Sequence, residues 1–155
     1  MPMIPKIVLA TLVAVVATAS AASAGPVVAS QRVAVESRGS VFAFAFVPLG
    51  AGSLKRDSGT TTWGEPARRV VVRHGQRIEV DDTVGRFEGR QGSLIARFHI
   101  EWTSAGNDFT AGSGRWTLVG GTGEYAGLRG GGRSGHVWLP GGKITLRAEG
   151  VLRRG

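Results

Sequence analysis

Glycine is the residue type that most constrains how this chain can fold. The sequence has 25 glycines in 155 residues, and all of them follow Ala24. After that point glycine or proline interrupts nearly every stretch of about a dozen residues, so a long amphipathic helix does not fit. The glycines show no Gly-X-Y period, which excludes a collagen helix, and hydrophobic residues lie between them, which argues against disorder. Short strands joined by tight turns remain.

Between the glycines, apolar residues recur at every second position. The clearest example is 94–102, where the apolar residues are Leu94, Ala96, Phe98, Ile100 and Trp102. Similar segments lie at 31–36, 41–47, 52–62, 70–73, 77–80, 109–119, 136–139 and 143–152. This period predicts half-buried antiparallel strands, with one helical turn near Tyr125. About eight strands suit a small closed barrel or a sandwich, and closure removes edges that invite aggregation.

The first 24 residues resemble an export signal rather than part of the fold. One cation, Lys6, precedes an apolar run at 7–19, and small residues follow at 22–24. The run is shorter than the about 20 residues that a membrane-spanning helix needs. We therefore expect a signal peptide cleaved after Ala24, a single domain over 25–155 and a secreted product. The chain has no cysteine, so this domain folds without disulfides.

The chain is strongly basic, with a formal net charge of +8. The cations are distributed over all the predicted strands, and doublets occur only at 68–69 and 153–154. Nucleic-acid binding needs a basic stripe or an aromatic platform, so we predict no nucleic-acid partner. The basic exterior leaves open an attraction to acidic cell-wall polymers or to anionic lipid headgroups, which would be sensitive to salt.

Few side chains indicate catalysis, so no catalytic residue is assigned. The three histidines lack metal-ligand spacing, and we predict no metal and no cofactor. The chain has no G-x-S-x-G pentad for a serine nucleophile. Among the carboxylates, Asp57 is expected in a turn, and the pair Asp81-Asp82 is expected to cap a turn at the end of a strand. Glu88 is expected in a surface ion pair with Arg86 or Arg90.

A glycine cluster at 120–127 contains the pattern G-x-G-x-x-A after a strand. Dinucleotide binding would require a helix to begin there, but the glycines at 130–132 stop any helix within about a turn. The cluster is better interpreted as a tight structural corner, formed by Gly121, Gly123, Tyr125, Gly127 and Gly130.

Residues 114–132 (GRWTLVGGTGEYAGLRGGG) resemble the strand-turn-strand signature G-T-G-x-[FY]-x-G-[AL]-x-G of the allene oxide cyclase and dirigent barrel-like proteins. Similar segments occur in small secreted bacterial proteins. The resemblance implies an eight-stranded antiparallel barrel, of the calycin or dirigent kind, with a lumen for a small apolar molecule. No catalytic residue of those families has a matching position here, and the cysteine pair of plant dirigent proteins is absent.

Three functions follow as hypotheses. The first is a secreted barrel that binds a small apolar ligand in its lumen and orients it for reaction, with Phe98, Ile100 and Trp102 as lumen candidates. The second is a non-catalytic envelope protein that adheres to acidic polymers. The third is isomerase or cyclase chemistry of the allene oxide cyclase type, which needs a buried carboxylate or amide beside an open cavity.

Overall fold

The computed structural model describes residues 30–106 and 109–155, so the predicted signal peptide at 1–24 lies outside the described residues. The described residues form nine strands and one short 3-10 helix: β1 (Ser30–Arg38), β2 (Ala43–Pro48), β3 (Asp57–Trp63), β4 (Ala67–Arg73), β5 (Gln76–Gly89), β6 (Ser93–Gly106), β7 (Phe109–Gly121), η1 (Gly123–Tyr125), β8 (Leu128–Leu139) and β9 (Lys143–Arg154). No helix in this part of the chain is long and apolar enough to cross a membrane.

All nine strands belong to one antiparallel sheet that closes into a ring. The strand order is β3-β2-β1-β9-β8-β7-β6-β5-β4, and an additional pairing joins β3 to β5. Strand β5 is long enough to have two partners on the same edge, because its first half pairs with β4 and its second half pairs with β3. Eight strands therefore form the ring, and β4 extends from it as half of a hairpin. The predicted all-β, closed antiparallel fold is confirmed.

The period-two pattern places one face of each strand inside the ring. On β6, Ala96 and Phe98 are buried while Arg97 between them is exposed. Phe98 lies opposite Trp116 of β7, and both side chains belong to the apolar core. The alternation read from the sequence is therefore the alternation between core and solvent.

One end of the ring is closed by the corner that contains η1. Tyr125 is fully buried, packs edge-on against Phe46 and donates a hydrogen bond from its hydroxyl to Asp57 Oδ2 at 3.0 Å. Asp57 also accepts hydrogen bonds from the backbone amides of Ser58, Arg90 and Gln91. Burial alone would raise the pKa of Asp57, but these four hydrogen bonds outweigh it and hold that pKa below its usual value. Asp57 is thus a buried anchor at the start of β3 and not a turn residue.

The predicted turn motif lies at this closed end. Gly123, Gly127 and Gly130 have φ angles of 58°, 71° and 143°, which side chains other than glycine rarely adopt. A Cβ on Gly121 would lie 2.4 Å from the carbonyl oxygen of Tyr125. The glycines therefore allow the chain to reverse tightly while Tyr125 fills the end of the ring.

Candidate functional site

The interior of the ring differs between its two ends. At the closed end, residues from most of the strands fill the space and leave a void of about 10 Å³, lined by groups such as Phe87, Leu118 and Leu152. A void of this size barely holds one water molecule. A ligand therefore has no room at the closed end.

The opposite end holds a cavity of about 540 Å³. This volume lies within the range of small-molecule sites, about 300–1,000 Å³. Its apolar walls are Val41, Phe42, Trp63, Pro66, Ile100, Trp102, Trp138, Ile144 and Leu146, and its polar lining groups include Arg68, Glu79, Asp81, Thr83, Thr110 and His136. The cavity is therefore a mostly apolar, aromatic-rich chamber with a few polar groups.

The β4–β5 hairpin supplies one wall of this cavity. Hairpin register places Arg68 of β4 directly opposite Asp81 of β5. Arg68 donates from Nε to Asp81 Oδ1 at 2.8 Å and from Nη2 to Asp81 Oδ2 at 3.0 Å. Its Nε also lies 2.7 Å from Glu79 Oε1. This wall thus carries one cation between two carboxylates.

Asp81 is the best-buried carboxylate at the cavity, with 6% of its surface exposed. Besides its two hydrogen bonds from Arg68, it accepts one from Trp102 Nε1 at 3.1 Å. Trp102 can approach the neighbouring strand closely because Gly112 lies opposite it, and a Cβ there would come within 2.6 Å of the indole ring. Asp81 therefore fixes the orientation of an aromatic wall.

His136 of β8 lies at the floor of the cavity and is 2% exposed. One ring nitrogen, Nε2, is 3.0 Å from Ser134 Oγ, and the ring packs edge-on against Trp102 and Phe98. Burial lowers the pKa of His136 from 6.5 to about 4. At neutral pH the imidazole is therefore uncharged and presents one donor and one acceptor nitrogen.

The three lumen candidates from the sequence all lie on the inner face of β6, but at different depths. Ile100 and Trp102 line the cavity, whereas Phe98 lies deeper and lines only the small void of the closed end. Phe98 contacts the rings of Trp63 and His136, so it supports the cavity floor from below.

The carboxylates that the sequence placed in turns occupy other positions. Asp81 and Asp82 lie in the middle of β5, which continues to Gly89, so their expected position at a strand end is wrong. Asp82 accepts hydrogen bonds from Arg69 and contacts His99 Nδ1 at 2.7 Å on the outer face. Glu88 forms an ion pair with Arg86, one of its two expected partners, with 2.8 Å between Arg86 Nε and Glu88 Oε1. The described residues contain no cluster of three or more potential metal ligands.

Sequence reasoning missed Arg68, Asp81, His136 and Trp63 as cavity residues. The hairpin contained the necessary signal, since its turn is His74-Gly75 and both residues have positive φ, 52° and 78°. A two-residue turn of this kind fixes the register that joins Arg68 to Asp81. His136 continues the inner-face alternation of β8, which the glycines at 130 and 132 obscure.

Comparisons with known proteins identify no relative for this chain, which matches no protein-family model, no curated protein and no solved structure.

Proposed function

We propose that this protein binds a small, largely apolar molecule in the open end of its ring. The observation that carries the proposal is the cavity of about 540 Å³ beside a closed end with no usable space. Aromatic walls from Phe42, Trp63, Trp102 and Trp138 favour a flat or aromatic ligand, because stacked and edge-on ring contacts add to the gain from burial.

The polar groups of the cavity support orientation of a ligand. Neutral His136 offers a hydrogen bond at the floor, and the Arg68–Glu79 pair offers charged groups at the side. A few polar groups in an otherwise apolar chamber are the usual basis of specificity in such sites. We therefore propose a ligand with an apolar body and one or two hydrogen-bonding groups.

Binding accounts for these groups better than catalysis does. The cyclase hypothesis requires a buried carboxylate or amide beside the cavity, and Asp81 occupies such a position. However, both oxygens of Asp81 already accept hydrogen bonds from Arg68, and one also accepts from Trp102. A base with pKa near 4, as in His136, removes protons poorly at neutral pH.

The relation to the allene oxide cyclase and dirigent proteins stays a hypothesis that rests on residues 114–132, and secretion stays a prediction that rests on residues 1–24.

A titration with N-phenyl-1-naphthylamine, a neutral apolar fluorophore, tests the proposal. We expect its emission to rise and saturate with one probe per chain. Thr110→Trp fills part of the cavity and should weaken binding at least tenfold, whereas Thr145→Trp makes the same change at an exposed site on β9 and should leave binding within twofold. Thermal unfolding of both variants checks that they fold. Equal binding by both folded variants, or no saturable binding, would refute the proposal.

A further inference from the structure

The ion pairs of this protein are distributed unevenly around the ring. On β4 and β5, Arg68, Arg69, Arg73 and Arg86 pair with carboxylates, and Arg77 forms no ion pair with a described residue. On the outer face of β6, β7 and β8, Arg97, Arg115 and Arg133 form no ion pair with any described residue. We call these three residues the arginine row.

Strand register brings the arginine row together. Arg115 of β7 lies directly opposite Arg133 of β8, and Arg97 lies opposite Thr117, two residues from Arg115. Directly opposed side chains have Cβ atoms about 5 Å apart and diagonal ones about 7–8 Å apart. All three side chains are exposed. Like charges at these separations repel, and Glu149, which lies directly opposite Arg133 on β9, is bonded to Arg147.

A depression in the sheet surface adjoins the row. Its volume is about 630 Å³, and it is lined by Arg97, His99, Arg115, Trp116, Thr117 and the glycines 130–132. Gly131 faces outward opposite Thr117 and carries no side chain, so the floor is bare backbone flanked by guanidinium groups. Arg129 lies on the same face, two residues before Gly131, and is directly opposite Arg153 of β9. These two arginines add two more cations beside the depression.

We infer that the arginine row and its glycine floor bind an acidic polysaccharide. Guanidinium groups pair with carboxylates in a fixed two-pronged geometry, and arginines whose Cβ atoms lie about 5–8 Å apart suit a polymer with one charge on each repeat. The flat glycine floor accommodates a sugar ring between the cations. Two aromatic rings lie at the depression, but Trp116 is buried and His99 is bonded to Asp82. Neither is an exposed ring without a partner on which a nucleic-acid base could stack, which favours a polymer without bases.

This site is on the outside of the ring and is independent of the proposed cavity ligand. Binding to the arginine row should weaken strongly as the salt concentration rises, because dissolved ions screen exposed charges. It should also depend on these particular arginines rather than on net charge alone, since the paired arginines already have partners.

The test measures binding of polygalacturonate to the protein at several salt concentrations. The triple variant Arg97→Gln, Arg115→Gln, Arg133→Gln should bind at least 30-fold more weakly at low salt, with a shallower salt dependence. A matched triple variant, Arg69→Gln, Arg73→Gln, Arg86→Gln, loses the same net charge from paired positions, and we expect a change below threefold. Dextran, a neutral polysaccharide, should not bind.

Several results would overturn the inference. Equal weakening by the two triple variants would show that only net charge matters. Binding of polyphosphate or single-stranded DNA more than tenfold tighter than polygalacturonate would assign the face to a different polymer. Because removal of like charges relieves repulsion, the row variant should unfold at the same temperature as the unmodified protein or higher, and its binding of the naphthylamine probe should not change. Failure of the cavity proposal would appear only in the probe titration.

Discussion

At the scale of single residues, two buried polar groups have opposite surroundings. Asp57 has four hydrogen-bond donors and is stabilised as an anion, whereas His136 is enclosed by aromatic rings and is stabilised as a neutral base. Asp57 is hydrogen-bonded to Tyr125 at the closed end of the ring, and His136 forms the floor of the cavity at the open end. Burial without a compensating partner disfavours the charged form of His136, whereas the hydrogen bonds to Asp57 compensate for its burial and favour its charged form.

The surroundings of His136 predict how stability depends on pH. Its pKa is about 4 in the folded protein against 6.5 for an unperturbed histidine. Between these values the unfolded chain binds more protons, so the contribution of His136 is complete above pH 6.5 and is lost as the pH falls towards 4. The loss amounts to about 3 kcal/mol.

The substitution His136→Gln keeps a hydrogen-bonding side chain that does not titrate. In urea unfolding, the difference in unfolding free energy between the original protein and this variant should therefore shrink by about 3 kcal/mol between pH 7 and pH 4. A difference that stays constant across this range would show that the pKa of His136 is the same in the folded and unfolded states, which would contradict its burial as a neutral base.

At the scale of elements, glycines on the inner face determine how closely neighbouring strands approach. In β8, a Cβ on Gly132 would lie 1.9 Å from the carbonyl oxygen of Glu149 on β9. In the same strand, a Cβ on Gly135 would have no neighbour within 4 Å. Glycine is therefore required at the first position for packing and is only tolerated at the second.

This contrast predicts opposite effects of one methyl group. Gly132→Ala should force β8 and β9 apart and lower the unfolding free energy by about 3 kcal/mol or more. Gly135→Ala should leave it unchanged or raise it by about 0.5 kcal/mol, because alanine loses less backbone entropy on folding. Denaturant unfolding of the two variants measures both values, and equal destabilisation would contradict the packing role of Gly132.

The elements also show what the sequence could and could not predict. The alternation at 94–102 and 109–119 identified β6 and β7 closely, because each buries one face only. The pattern at 70–80 predicts a hairpin with a loop at 74–76, whereas β4 ends at Arg73 and β5 begins at Gln76. The predicted strands 70–73 and 77–80 are shorter than β4 and β5 and leave out Arg68 and Asp81, so the sequence does not place these two residues at the site. The extension of β5 to Gly89 is paired with β6 on one edge and with distant β3 on the other, and no local pattern reveals the second pairing.

At the scale of the whole molecule, closure of the sheet depends on a seam between β3 and β5. Gly59 and Gly89 lie opposite each other there, and a Cβ on Gly59 would lie 1.9 Å from the carbonyl oxygen of Glu88. At one end of the seam, Asp57 is hydrogen-bonded to Tyr125 of the closed corner. At the other end, β4 leaves the ring and forms one wall of the cavity. One continuous sheet thus produces a filled end, an open end and an outer face with unpaired arginines.

The central claim is that a small apolar molecule occupies the open end of the ring and not the closed end. Nuclear Overhauser contacts between bound N-phenyl-1-naphthylamine and selectively labelled methyl groups test it most directly. We expect contacts to Ile100, Ile144 and Leu146, which line the cavity, and none to Leu94, Leu118 or Leu152, which line the closed end. Contacts to the second group of methyls, or a bound probe that contacts neither group, would contradict this account.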